Sequence, residues 1–161
     1  MKEVVLEKLK KSLRIEYICT IVACFSSALS SIGGFIDFSR SNDYDEITKA
    51  VYAMFSTVVL ALLAWIIMDV KKKGTPFVSS IVCKLKTIAI IVMLGAIVPD
   101  LVTEVVKFVA KASEGDSAIT LFEISLGTKT VFILWLGIII GIISEIFKYG
   151  VKLQEDNDSI A

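Results

Sequence analysis

Two uncharged stretches decide what this chain can fold into. Tyr17–Ile36 is a run of 20 residues between Glu16 and Asp37, and Ala50–Met68 is a run of 19 between Lys49 and Asp69. A helix needs about 20 largely apolar residues to cross the hydrocarbon core of a bilayer. Within that core every backbone N–H and C=O must find its partner inside the protein, which favours helices for runs of this length. Two further runs are shorter: Thr87–Pro99 has 13 residues and Thr130–Ser144 has 15. The first reaches spanning length only by continuing through Asp100 and Glu104 to Val109, the second by taking in Glu145–Phe147. A third span standing alone would leave the Val131–Ile143 run unburied, so an even number of spans is expected. The expectation is an all-α, polytopic four-helix transmembrane bundle in a single domain. Its spans cover about 15–36, 50–69, 84–109 and 128–148, with a short tail over 149–161.

Composition bounds the function. Hydrophobic residues make up 55% of the 161, more than one soluble core of this length uses, so the excess is expected to face the lipid bilayer. Seventeen Lys and Arg balance seventeen Asp and Glu, and no direct nucleic-acid binding is expected from a zero net charge. The absence of histidine excludes His-based acid–base catalysis, His-paired nucleophiles and His-ligated metal or haem. Cys19, Cys24 and Cys83 form an odd set without a C-x-x-C, which suits neither a disulfide framework nor a zinc or thioredoxin-type site. Cys19 and Cys24 are five residues apart, about 140° around a helix, and read as packing residues. No enzymatic activity, cofactor or metal is expected.

Lysine and arginine orient the spans. Lys2, Lys8, Lys10, Lys11, Arg14, Lys71, Lys72, Lys73, Lys84, Lys86, Lys148 and Lys152 put twelve cations on one side. Arg40, Lys49, Lys107, Lys111 and Lys129 put five on the other. Both termini and the Lys71–Lys86 segment are therefore expected in the cytoplasm, with Asn42 and Gly115 outside. Sixteen mixed-charge residues precede the first run, so it reads as a span rather than a cleaved signal peptide.

The outer loops, Asp37–Lys49 and about Lys111–Lys129, lean acidic and read as solvated connectors, the sharper alternative being a collecting surface for a cationic peptide or metal ion; neither has the pattern of a calcium loop. The inner loop carries Gly74-Thr75-Pro76-Phe77, a turn signal. Phe77, Ile81, Leu85 and Ile88 then recur at helical spacing, as a short amphipathic helix at the inner surface or as the early start of span three.

Charges within a span are costly and count as functional candidates. Asp100, Glu104, Lys107 and Lys111 share one helix face just after Pro99. Three readings stay open: a structural acid pair neutralised by Lys107 or Lys129, a proton or cation site, and a helix that unwinds at Pro99. Matching lengths along spans three and four suggest two contacts, Lys84 or Lys86 near Glu145 and Lys129 near Glu104 or Asp100. Small residues recur at helical spacing as well. Ala23, Ser27, Ser31 and Gly34 do so on span one, Ala53, Thr57, Ala61 and Ala64 on span two, and Gly137, Gly141 and Ser144 on span four. Such faces allow close helix packing in lipid, within the chain or in a homo-oligomer.

Two stretches carry a family resemblance: Lys71-Lys72-Lys73-Gly74-Thr75-Pro76-Phe77 with the following Lys84-Leu85-Lys86, and the tail Glu145-Ile146-Phe147-Lys148-Tyr149-Gly150-Val151-Lys152-Leu153-Gln154-Glu155-Asp156-Asn157-Asp158. Through them the chain resembles an uncharacterised bacterial membrane family, domain of unknown function 2975, and the four-span layout is similar throughout. The end, Ser159-Ile160-Ala161, departs from that pattern. The resemblance implies a multi-pass protein of the bacterial plasma membrane with no assigned reaction. It also implies a cytoplasmic regulator of the helix-turn-helix type as partner. Its motif residues here are Gly74, Pro76, Phe77, Tyr149, Gly150 and Gln154. The leading expectation is a regulatory or interaction protein that works through the turn and the tail. The tail is expected to run helically about two turns past Phe147, then fray over Asn157–Ala161, and to dock a partner or the turn. The alternative is a small oligomeric transporter or channel that uses Asp100 and Glu104.

Overall fold

The computed structural model describes residues 2–113 and 128–160. Four helices account for nearly all of them: α1 (Lys2–Ser41), α2 (Tyr44–Lys73), α3 (Ser79–Ser113) and α4 (Thr128–Ile160). Each contains a segment long and apolar enough to cross a membrane, which makes this a multi-pass, all-helical membrane protein. At 1.5 Å per residue even the shortest, the 30-residue α2, reaches about 45 Å, well beyond a hydrocarbon core of about 30 Å. α1, α2 and α3 thus outrun their expected spans at both ends, and α4 does so at its C-terminal end.

Local chemistry sets the breaks between helices. α1 stops where Asn42 adopts a left-handed conformation (φ 52°) and donates its amide to the Phe38 carbonyl at 2.9 Å. Asparagine tolerates that region better than most residues. Asp43 then caps α2, accepting the Asp45 amide at 3.0 Å, and Asp45 and Glu46 suit the positive end of the helix dipole. The 13-residue outer loop expected over Asp37–Lys49 therefore shrinks to Asn42 and Asp43, because capping residues let the helices continue past the apolar runs. At the other end of α2, Gly74 takes φ 71° and donates to the Val70 carbonyl at 2.9 Å, while Lys71–Lys73 suit the negative end of the dipole.

α3 begins at Ser79 and continues without a break, so the Phe77–Ile88 periodicity belongs to the early start of span three, not to a separate surface helix. Pro99 lies inside α3 and is fully buried, and the helix does not unwind there. Thr103 Oγ1 donates to the Pro99 carbonyl at 2.9 Å. The tail is helical to Ile160 rather than fraying from Asn157. The ends of the second outer loop expected over about Lys111–Lys129 belong to α3 and α4, and its middle, including Glu114, Gly115, Asp116 and Glu123, lies outside the described residues.

Apolar surface does little to draw helices together in lipid, so contact depends on close backbone approach and on hydroxyl groups. On α1, Ser27 and Ser31 donate to the Ala53 and Ala50 carbonyls of α2 at 2.8 and 3.0 Å. A Cβ on Gly34 would lie 2.9 Å from Ala50 Cβ. On α4, fully buried Ser144 donates to the Val82 carbonyl of α3 at 3.2 Å, and Gly137 leaves room for Met93. Between α2 and α3, Gly95 receives the Phe55 ring. The small-residue faces are thus used within the chain. Among the described residues, close backbone approaches run in chain order, α1 to α2, α2 to α3 and α3 to α4, and none links α1 to α4. The antiparallel order puts the start of α1, the end of α4 and the α2–α3 turn at one end, here called the terminal end. The α1–α2 link marks the far end.

Candidate interaction surface at the terminal end

The turn and the tail meet. Thr75 Oγ1 accepts the Phe77 amide at 3.2 Å and the Pro76 carbonyl accepts the Val78 amide at 3.1 Å, which folds the segment tightly between α2 and α3. Pro76 has no amide to extend either helix. This folding carries the Phe77 ring onto α4, where it lies 5.5 Å from the Phe147 ring centre and tilted by 35°. Gly150 makes the seat: a Cβ there would fall 2.5 Å from Phe77 Cδ1. Beside the ring, a cleft of about 150 Å³ is lined by Phe77, Ser79, Val151 and Gln154. Tyr149 projects away from the contact and is 70% exposed. Of the six motif residues, Phe77, Gly150 and Gln154 therefore converge. Gly74 and Pro76 shape the turn, and Tyr149 stands apart.

Ion pairs lock the helices beneath this surface. Lys84 Nζ lies 2.7 Å from Asp69 Oδ2, which also accepts from Ser80 Oγ at 3.0 Å. The same ammonium sits 4.0 Å from the centre of the Trp65 ring. The Lys84 and Asp69 side chains are only 15% and 16% exposed, so this pair is shielded on most sides. Lys86 pairs with Glu145 at 2.6 Å, as the matched lengths of spans three and four suggested, though both groups are about half exposed. Lys148 approaches the same carboxylate at 3.8 Å.

The far end uses other chemistry. Asp100 Oδ2 accepts from Thr130 Oγ1 of α4 at 3.0 Å, and Oδ1 accepts from Tyr52 OH of α2 at 3.4 Å. Thr48 and Thr103 share a short hydroxyl–hydroxyl bond between α2 and α3. The expected pairing of Lys129 with Asp100 or Glu104 is not formed. Lys129 Nζ lies over the Tyr52 ring, 4.1 Å from its centre, and Glu104 takes Lys107 of its own helix at 3.0 Å. The reason is phase. Lys129 and Glu145 are 16 residues apart, so at about 100° per residue they sit about 160° apart around α4. With Glu145 turned to Lys86, the next residue, Thr130, faces Asp100 instead.

Tyr52, Asp69, Phe147 and Thr130 were not singled out from the sequence as members of these clusters, and Lys84, expected near Glu145 as the alternative to Lys86, pairs with Asp69 instead. Asp69 and Lys84 had a signal, since each borders a span at the same end. Tyr52 and Thr130 had none beyond being polar within apolar runs. Among the described residues, no group of three or more His, Cys, Asp or Glu side chains is placed to hold a metal ion. No protein-family model, curated protein or solved structure matches the chain.

Proposed function

We propose that this is a non-enzymatic regulatory or interaction protein of the bacterial plasma membrane, with the terminal end in the cytoplasm as a docking surface for a soluble regulator. The observation that carries the reading is the seating of Phe77 on Gly150. It joins two segments far apart in sequence, the lysine-rich turn and the α4 tail, into one surface with an adjoining cleft. The same two segments carry the resemblance to the bacterial membrane family, and a helix-turn-helix regulator as partner comes from that resemblance. The twelve-to-five distribution of cations supports the orientation.

A transporter using Asp100 and Glu104 has less support. Both Asp100 oxygens already accept hydroxyl hydrogen bonds from neighbouring helices, and Glu104 is paired within α3, which favours a structural clasp.

Gly150→Val tests the reading. The added side chain collides with the Phe77 ring and should push the turn off the tail, abolishing association with the regulator in a two-hybrid assay while helicity is kept. Phe77→Ala should act in the same direction. Unchanged association in both variants would place the partner elsewhere. Orientation is tested by a single cysteine at Gly74 in a chain freed of its three native cysteines. Labelling from outside the cell would overturn the assignment.

A further inference from the structure

We propose that a second cleft at the terminal end, adjoining the one beside Phe77 and sharing Ser79 and Val151 with it, binds the phosphate of an anionic phospholipid headgroup. The cleft holds about 500 Å³, room for a phosphoglycerol group and its water. Buried Val151 forms part of its floor, and Lys148, Lys152 and Ser79 stand along its walls. Lys148 and Lys152 are four residues apart, so both ammonium groups reach the same side of α4.

Charge decides the sign of the ligand. The cleft also contains Glu145 and Glu155. Glu145 is held by Lys86 at 2.6 Å and approached more loosely by Lys148 at 3.8 Å. Counting Lys86, three cations meet two carboxylates, and Lys152 is in no ion pair among the described residues. The Ser79 hydroxyl, at the first residue of a 35-residue helix, adds a donor at an electropositive helix start.

Position decides the source. Tyr149 at the rim is an exposed aromatic with a polar tip, the kind of side chain that sits at headgroup level. Towards the middle of the membrane, α4 presents exposed Ile142 and Ile146, a path along which acyl chains can lie. A phosphate in the cleft is therefore continuous with lipid tails on the same helix. Lysines near a membrane surface each contribute enough attraction that losing two should weaken binding of an anionic lipid about 30-fold.

The test uses the full chain in detergent with equal amounts of phosphatidylglycerol and phosphatidylcholine, read by native mass spectrometry. The expected result is one retained phosphatidylglycerol per protomer, in clear excess over phosphatidylcholine. Lys148→Gln with Lys152→Gln should remove it while melting temperature is kept. Lys71→Gln with Lys72→Gln, exposed lysines at the same end but on α2, should not. Equal loss in both double variants would overturn the site in favour of general attraction to a basic end. Equal retention of the two lipids would also overturn it. Displacement of the lipid by millimolar free glycerol phosphate would overturn the lipid source in favour of a soluble phosphate ester.

Discussion

The two ends of the helix array solve the same problem with different chemistry. At the terminal end, oppositely charged groups pair across helices: Asp69 of α2 with Lys84 of α3, and Lys86 of α3 with Glu145 of α4. At the far end, the ion pairs among the described residues stay within one helix, Glu46 with Lys49 and Glu104 with Lys107, and hydroxyl groups make the hydrogen bonds across helices: Tyr52 and Thr130 hold Asp100, and Thr48 meets Thr103. The cation bias explains much of the contrast. Twelve cations at one end supply partners for acids on neighbouring helices, while five at the other leave Asp100 to neutral hydroxyls. Charged pairs set register over a few ångströms and tolerate some rotation. Hydroxyl bonds demand a closer backbone approach.

Breaking the shielded pair should have the largest effect. Lys84→Ala removes the partner of Asp69 and the cation over Trp65, stranding a carboxylate that is mostly covered. It should lower the melting temperature in detergent more than any other single change here. Asp69→Leu with Lys84→Met should recover much of that loss, because an apolar pair leaves no charge stranded. A double variant no better than Lys84→Ala would mean that the pair does not set the stability of this end.

Thr130→Val should come next. It keeps the shape of a side chain that is 2% exposed but withdraws a donor from Asp100, at about 1–3 kcal/mol for an under-satisfied buried group. Reversible unfolding in mixed micelles measures it. A loss as large as that of Lys84→Ala would erase the proposed difference between the ends.

The half-exposed pair of Lys86 and Glu145 should show a smaller coupling in a double-mutant cycle than Asp69 with Lys84, since solvent and headgroups screen it. A coupling of equal size would show that exposure does not rank these pairs. Lys49→Ala should be the smallest effect, with no measurable change in melting temperature, because Lys49 is itself exposed and its partner is a neighbour on its own helix. A clear loss there would show that a pair within one helix matters at the far end too.

The four spans, their antiparallel order and the bias of charge were legible in the sequence, because the bilayer imposes a length and an apolar threshold that can be counted residue by residue. The Lys86–Glu145 contact was legible for the same reason, since rise per residue converts spacing into depth. Helix ends were less so: Asn42 and Asp43 cap within two residues, and capping acts on backbone groups that hydropathy does not register.

Rotation about each helix axis was decided by tertiary packing. Depth alone allowed Lys129 to reach Asp100, but Ser144 and Gly137 lie close against α3, and that packing turns Thr130 inward and leaves Lys129 over Tyr52. The meeting of Phe77 with Gly150 has the same origin. Turn and tail are 73 positions apart in the chain, and only the packing of α4 against α3 brings the glycine notch under the ring. Periodicity states which residues share a face. Which neighbour that face meets depends on the combined fit of small residues and hydroxyls on several helices, and that is a property of the packed structure.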